Sequence, residues 1–305
     1  MMERVKKIWM DGKLIDWEAA TVHVLTHTLH YGLGVFEGIR FYRTASGVSA
    51  VFRLKEHMDR LFASAHIATL KIPFSRAELT EGVLETVRAS ELEEGYIRPI
   101  VFIADSTMGV YPKEYQVRVA VAVWPWGAYL GEEGVRRGIR AKISSFTRHH
   151  VNVSMTKAKI CGNYANSFLA KKEAVDAGCD EAILLDTEGY VSEASGENIF
   201  IVEDGRLKTP PLTSVLPGIT RDTVMVLASH LNIPGVEERF TRDELYVAEE
   251  AFLTGTAAEI TAIREVDGRQ IGAGAPGRVT LRLRETFFNI VQGKDERFRS
   301  WLTYV

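Results

Sequence analysis

Glu181–Pro211, EAILLDTEGYVSEASGENIFIVEDGRLKTPP, sets short apolar runs between the turn signals Thr187 to Gly189 and Asp204-Gly205. Runs of this length bounded by such residues read as successive strands. Upstream, Ser154 to Ala174, SMTKAKICGNYANSFLAKKEA, leads into a helix whose Phe168 and Leu169 are expected in its core face. Downstream, LPGITRDTVMVLASHLNI reads as a helix starting just after Pro217-Gly218. Two more strands and an amphipathic helix, RVTLRLRETFFNIVQG, follow it.

The first half mixes the same elements. KKIWMDGKLIDW reads as a hairpin around Asp11-Gly12, and GIRFYRTASGVSAVF as a second one. RLKEHMDRLFASAHIATL places Leu54, Met58, Leu61, Phe62 and Ala65 on one helical face, and the next helix opens with Ser75 and Glu78 at capping-box spacing. GYIRPIVFIAD and QVRVAVAVWPW are strand candidates. PWGAYLGEEGVRRG then carries Gly and charge without clear periodicity, so the domain boundary belongs there. Residues 1–124 form a small N-terminal domain, 125–137 an interdomain loop and 138–305 a large C-terminal domain in this reading. With no fixed repeat, the class is α/β or α+β.

A chain of 305 residues, 46% hydrophobic and 25% charged, has the composition of a globular protein with a large core. Its net charge of −3 argues against bulk attraction to nucleic acid or anionic membranes, so ligands are recognised locally. Cys161 and Cys179 form no Cys-x-x-Cys pair, which fits a reducing cytoplasm. No apolar run approaches the roughly 20 residues of a spanning helix. MMERVKKIWMDG also lacks the apolar stretch of a signal peptide.

His23, His27 and His30 stand at helical spacing, but no carboxylate joins them as in H-E-x-x-H, so they read as structural and no metal is expected. YGLGVFEG carries Gly32, Gly34 and Gly38 without the spacing or the preceding strand of a dinucleotide fingerprint. Those glycines permit close backbone approach to neighbours or to a ligand. In LPGITRD the N–H groups of Ile219 and Thr220 and the Thr220 hydroxyl open a helix, as a phosphate seat or as a simple cap. Gly255, Thr256 and Ala257 in LTGTAAEI offer the same chemistry, or an ordinary tight turn. Glu193, between two apolar strands, is either a surface residue or a buried carboxylate that needs a partner.

Taken together, HYGLGVFEGIR, HMDRL, YIRPIVF, TMGVYP, AKICGNYANS, GYVSEASGEN, LPGITRD and TGTAAEI resemble the branched-chain amino acid aminotransferases, fold-type IV enzymes that use pyridoxal 5'-phosphate (PLP). The likeness covers nearly the whole chain. It departs at HHVNVSMTKAK, where the family usually carries prolines. The resemblance implies a small N-terminal α/β domain and a larger C-terminal domain with a barrel-like sheet.

It also implies Lys159 as the lysine bonded covalently to PLP, acting as nucleophile and as the acid/base that moves a proton between substrate Cα and cofactor C4′. Lys157 has no matching role and, with Lys171 and Lys172, reads as a solvated or ion-paired charge. Glu193 becomes the partner of the pyridine nitrogen, Tyr164 that of the ring hydroxyl, and Leu216 packs on the ring. Arg60 matches the phosphate-binding arginine, helped by Ile219, Thr220 and Thr256.

For the substrate, the resemblance implies an α-carboxylate held by the Thr256-Ala257 backbone and Tyr96. Phe36, Gly38, Trp126 and Tyr129 would line the pocket, with Tyr31 and Val110 supplied by the neighbouring subunit. Arg98 is the natural partner for the distal carboxylate of 2-oxoglutarate. The implied reaction is transamination of Leu, Ile or Val with 2-oxoglutarate, at a site between the domains of a homodimer or a higher oligomer such as a hexamer. The same fold also serves D-amino acid and (R)-amine transaminases and aminodeoxychorismate lyases. A non-enzymatic scaffold would not need Lys159, Glu193, Tyr164 and Arg60 together.

Overall fold

The computed structural model describes residues 5–127 and 129–305. Two compact units divide the chain: Met1–Gly127 with Ala158–Asn163 and Ile290–Val305, and Ala128–Lys157 with Tyr164–Asn289. The first passage between them falls within 125–137, but later segments return to the first unit, so a single cut does not describe the chain.

In the first unit, β1 (Lys7–Met10), β2 (Lys13–Asp16), β3 (Gly34–Phe36), β4 (Ile39–Arg43), β5 (Ser49–Phe52), β6 (Gly95–Ser106) and β7 (Tyr115–Trp124) share a sheet with a last strand, Leu302–Tyr304. The order runs from Leu302–Tyr304 through β5, β4, β6, β7 and β1 to β2, with β3 also on β6, and every pair is antiparallel. Both expected hairpins form. At the β1–β2 turn Asp11 and Gly12 take φ of 49° and 93°, the left-handed pair that a two-residue turn between twisted strands requires.

Two long helices, Leu54–Ile67 and Arg76–Ser90, and the short helix His27–Tyr31 belong to this unit. Ser75 and Glu78 close the expected capping box. The first helix buries Leu54, Met58, Leu61 and Ala65, but it also buries His57 and Ser64 while Phe62 is only half-buried. Its inward face is therefore rotated from the purely apolar one and carries polar groups inside.

In the second unit, β8 (Ile139–Ile143), β9 (Glu181–Leu185), β10 (Val191–Ala194), β11 (Asn198–Glu203), β12 (Arg206–Thr209), β13 (Gly235–Glu237), β14 (Glu250–Gly255) and β15 (Glu259–Val266) form a second sheet, with Arg269–Gln270 on β15. Its order is β10-β9-β8-β15-β14-β11-β12-β13. The pairs β8–β9, β8–β15 and β12–β13 are parallel and the others antiparallel, so the large sheet of this unit is mixed. Ile183, Ile199, Leu253, Ile263 and Phe240 fill its core.

Two expectations change. The segment read as an interdomain loop contains a helix, Gly131–Arg137, with Glu132 and Glu133 in its first turn and Arg136 and Arg137 in its last. That charge order suits the helix dipole, and Glu133 pairs with both arginines. In the helix Tyr164–Asp176, Phe168 and Leu169 are 66% and 46% exposed. The buried residues are Ser167, Ala170 and Ala174, whose small side chains let the helix lie close to Ala182 and Leu184. Among the described residues no helix is long and apolar enough to cross a membrane.

Candidate active site

In the first unit the backbone around Lys159 is fixed from two sides. Its N–H donates to Ser64 Oγ at 3.1 Å, and its carbonyl accepts from the Phe36 N–H at 3.1 Å. The Lys159 ammonium lies 5.1 Å from the Phe36 ring centroid. Arg98 Cζ lies 4.6 Å from that same centroid and 5.5 and 5.6 Å from those of Tyr96 and Trp124. One aromatic ring thus meets both cations, favourable contacts for each. Arg98 Nε is buried with no hydrogen-bond acceptor. The Tyr96 ring packs edge-on against Trp126 at 4.4 Å. Gly38 makes room for it, since a Cβ there would lie 1.8 Å from the Tyr96 hydroxyl oxygen.

Arg60 is engaged by a residue the sequence reading passed over. Glu37, on the turn between β3 and β4, is fully buried. It accepts from Arg60 Nε at 2.6 Å and from Arg60 Nη2 at 2.9 Å, while His57 Nδ1 lies 2.7 Å from Glu37 Oε2. Burial pushes the Glu37 carboxyl up, but the Arg60 charge and hydrogen bonds, then those of His57, hold it well below the usual carboxylate range. For His57 burial dominates and lowers the pKa against the pull of Glu37, and the facing carboxylate oxygen makes Nδ1–H the donor. The signal for Glu37 was present: it stands between apolar runs in GVFEGIR, as Glu193 does in its own segment.

Tyr31 and Val110 are 42% and 85% exposed on the same unit. His27, whose ring lies tilted against Tyr31 at 4.5 Å between centroids, has Nε2 2.8 Å from the Gly109 carbonyl and ties their two segments together. His30 Nε2 lies 2.8 Å from the Val24 carbonyl. Among the described residues no cluster of His, Cys, Asp or Glu could hold a metal ion.

In the second unit Glu193 is buried on β10. Its Oε2 accepts from the Leu216 N–H at 3.2 Å and from Asn198 Nδ2 at 3.3 Å, and Asn198 also donates to the Leu216 carbonyl at 3.0 Å. Gly218 allows this: a Cβ there would sit 2.0 Å from Asn198 Oδ1, so the Pro-Gly turn is needed for space. Arg148 Nε stands 2.8 Å from Glu193 Oε1 but is misaligned for a hydrogen bond, and Arg148 Nη1 donates to Ser167 Oγ at 3.0 Å. The segment before Lys159 that lacks prolines folds as a turn, with the Val153 N–H on the His150 carbonyl at 2.8 Å.

Ile219 and Thr220, both buried, open the helix Ile219–His230, whose N-cap is Gly218 and has no side-chain acceptor. Thr256 and Ala257 form the half-buried turn between β14 and β15. Tyr164 opens its helix, and Tyr129 lies 5.5 Å from the Lys171 ammonium. Lys171 itself pairs with the buried Glu181, the ion-paired form of the structural charge expected there. Lys157 is half-buried as well: burial, then Arg221, lowers its pKa against Glu193 and Glu237.

A model of the amino-transferase class IV family matches residues 34–266, more than half of the chain. The chain belongs to the class IV aminotransferases. A branched-chain-amino-acid aminotransferase of Pseudomonas aeruginosa is 55% identical over 305 residues, covering 100% of this chain and 99% of the relative. The crystal structure of the Escherichia coli branched-chain amino acid aminotransferase superposes with a TM-score of 0.96 at 46% identity, covering 98% of this chain and 99% of that one. The branched-chain amino acid aminotransferase of Thermobaculum terrenum, in its PLP-bound holo-form, gives 0.93 at 36% identity, covering 98% of both chains.

The cofactor of this aminotransferase family, PLP, fits the second unit on one observation. Glu193 Oε1 is buried without an aligned donor, and a protonated pyridine nitrogen supplies an N–H of the kind it lacks.

Three titratable groups, the buried Glu37 and His57 and the half-buried His149, give the stability of this aminotransferase a definite pH dependence. Glu37 and His57 both have lowered folded pKa values, and burial, then Arg148, lowers that of His149 to about 4. Stability from the two histidines is complete above their ordinary value of 6.5 and is lost as pH falls. Loss from Glu37 begins below its ordinary 4.5. The melting temperature should therefore fall from pH 7 to pH 5 and faster below 4.5, and a flat profile across that range would contradict the assignment.

Proposed function

We propose that the chain is a branched-chain-amino-acid aminotransferase that moves the amino group of leucine, isoleucine or valine to 2-oxoglutarate, giving the 2-oxo acid and glutamate. The carrying observation is Arg98: a half-buried side chain whose buried Nε has no acceptor, its guanidinium set against Phe36, Tyr96 and Trp124. Such a surface offers aromatic walls to an aliphatic side chain and one cation to a distal carboxylate, the two substrates this reaction must alternate between. The names of the relatives support the branched-chain choice.

When bound, PLP supplies an electron sink for the carbanion left at the substrate Cα. The Lys159 amine takes the Cα proton and returns it at C4′. Glu193, held by Asn198, the Leu216 N–H and Arg148, keeps the proton on the ring nitrogen. Tyr164 donates to the ring hydroxyl, Leu216 covers the ring, and Arg60, Ile219, Thr220 and Thr256 take the phosphate. Tyr96 with the Thr256 and Ala257 N–H groups orients the α-carboxylate, and Trp126 and Tyr129 add apolar wall. The exposed Tyr31 and Val110 suit a wall presented to a second copy, which makes a homodimer the working unit.

Steady-state rates across L-, D- and amine donors test the reading, with L-leucine, L-isoleucine and L-valine expected as the best donors. If D-alanine or an (R)-amine is preferred and L-leucine is nearly inert, the specificity is wrong. Arg98→Ala should raise KM for 2-oxoglutarate about tenfold or more and that for leucine less than about threefold. Equal losses would make Arg98 structural.

A further inference from the structure

The helix Leu54–Ile67 turns three polar side chains toward functional segments at helical spacing: His57, Arg60 and Ser64. Ser64 accepts from the Lys159 backbone. Arg60 and His57 meet at Glu37, which precedes Gly38 and follows Phe36. One buried carboxylate therefore stands between the pocket residues Phe36 and Gly38 and is engaged by Arg60 and His57.

We infer that Glu37, itself oriented by His57, is a positioning residue that sets the plane of the Arg60 guanidinium for the cofactor phosphate. The inference rests on the reading that Arg60 takes that phosphate. Glu37 uses both oxygens side-on, Oε1 on Nε at 2.6 Å and Oε2 on Nη2 at 2.9 Å. A two-point fork fixes the guanidinium plane as well as its place, and so decides where its other edge points. Oε2 has two further donors, His57 Nδ1 at 2.7 Å and the Gly38 N–H at 3.3 Å, so the carboxylate cannot swing.

The arrangement works through geometry and against charge. A carboxylate beside Arg60 cancels part of the attraction that a phosphate would feel, so its retention in a fully buried place points to orientation as its contribution. Glu37→Gln removes the negative charge but turns an amide N–H toward existing donors. A pure charge effect predicts tighter phosphate binding in that variant, and a positioning effect predicts weaker binding.

The test measures equilibrium binding of PLP and of pyridoxal, which lacks the phosphate, to the full chain freed of cofactor. Glu37→Gln should weaken PLP about tenfold or more, ~1.4 kcal/mol, and pyridoxal less than about twofold. His57→Leu should shift PLP the same way, while His57→Asn, which keeps an N–H toward Glu37, should restore it to within about threefold of the parent. Arg60→Ala serves as reference. If it weakens PLP and pyridoxal alike, Arg60 does not hold the phosphate, and the underlying reading fails. If Arg60→Ala is selective for PLP but Glu37→Gln and His57→Leu leave the PLP-to-pyridoxal ratio unchanged, or raise PLP affinity, the positioning role alone is overturned. Should Glu37→Gln not fold by circular dichroism, the His57 pair decides.

Discussion

Lys159→Ala is expected to lose at least about 10⁴-fold in kcat, because the proposed mechanism makes one amine both the attachment point and the proton carrier, and nothing replaces it. The visible absorption that a lysine-bound cofactor confers should vanish too. Neither effect is expected for Lys157→Ala, two residues away, which should keep more than about a tenth of parental kcat. The contrast rests on placement. Lys159 is tied through its backbone to Ser64 and Phe36 and lies over the Phe36 ring, whereas Lys157 stands in the field of Glu193, Glu237 and Arg221. Retained absorption and turnover in Lys159→Ala would remove the basis of the mechanism.

For Glu193→Gln, kcat should fall about a hundredfold or more, since an amide keeps the shape but cannot hold a proton on the ring nitrogen. Asn198 and the Leu216 N–H would still find the remaining amide oxygen, so the fold and the phosphate seat should survive. PLP should therefore still bind while turnover is slow. An unchanged kcat would mean that the ring nitrogen needs no anionic partner. A collapse of PLP binding would assign Glu193 to architecture instead.

Local signals in the sequence were read correctly where one short stretch holds all the information. The Asp11-Gly12 hairpin and the Ser75–Glu78 capping box belong to this kind. The inward face of the helix Leu54–Ile67 was less legible, because the polar partners of the buried His57 and Ser64, Glu37 and Lys159, lie outside the helix. Phe168 and Leu169 misled for a related reason. Hydrophobicity marked them as core, but close approach to the sheet selected the small residues of the neighbouring face. Arg148 could not be recognised, since nothing in RHH indicates that its guanidinium will stand beside Glu193.

The strand Leu302–Tyr304 completes the edge of the first sheet by pairing with β5, to which it is joined through roughly 250 residues of intervening chain. At synthesis rates of about 5–20 residues per second, β5 waits some tens of seconds for that partner. The N-terminal sheet thus cannot finish on the ribosome before nearly all of the second unit has emerged. During that interval β5 presents unpaired N–H and carbonyl groups, an open template for other chains. Expression yield should accordingly be sensitive to changes at residues 302–304, none of which the proposed mechanism places against the cofactor.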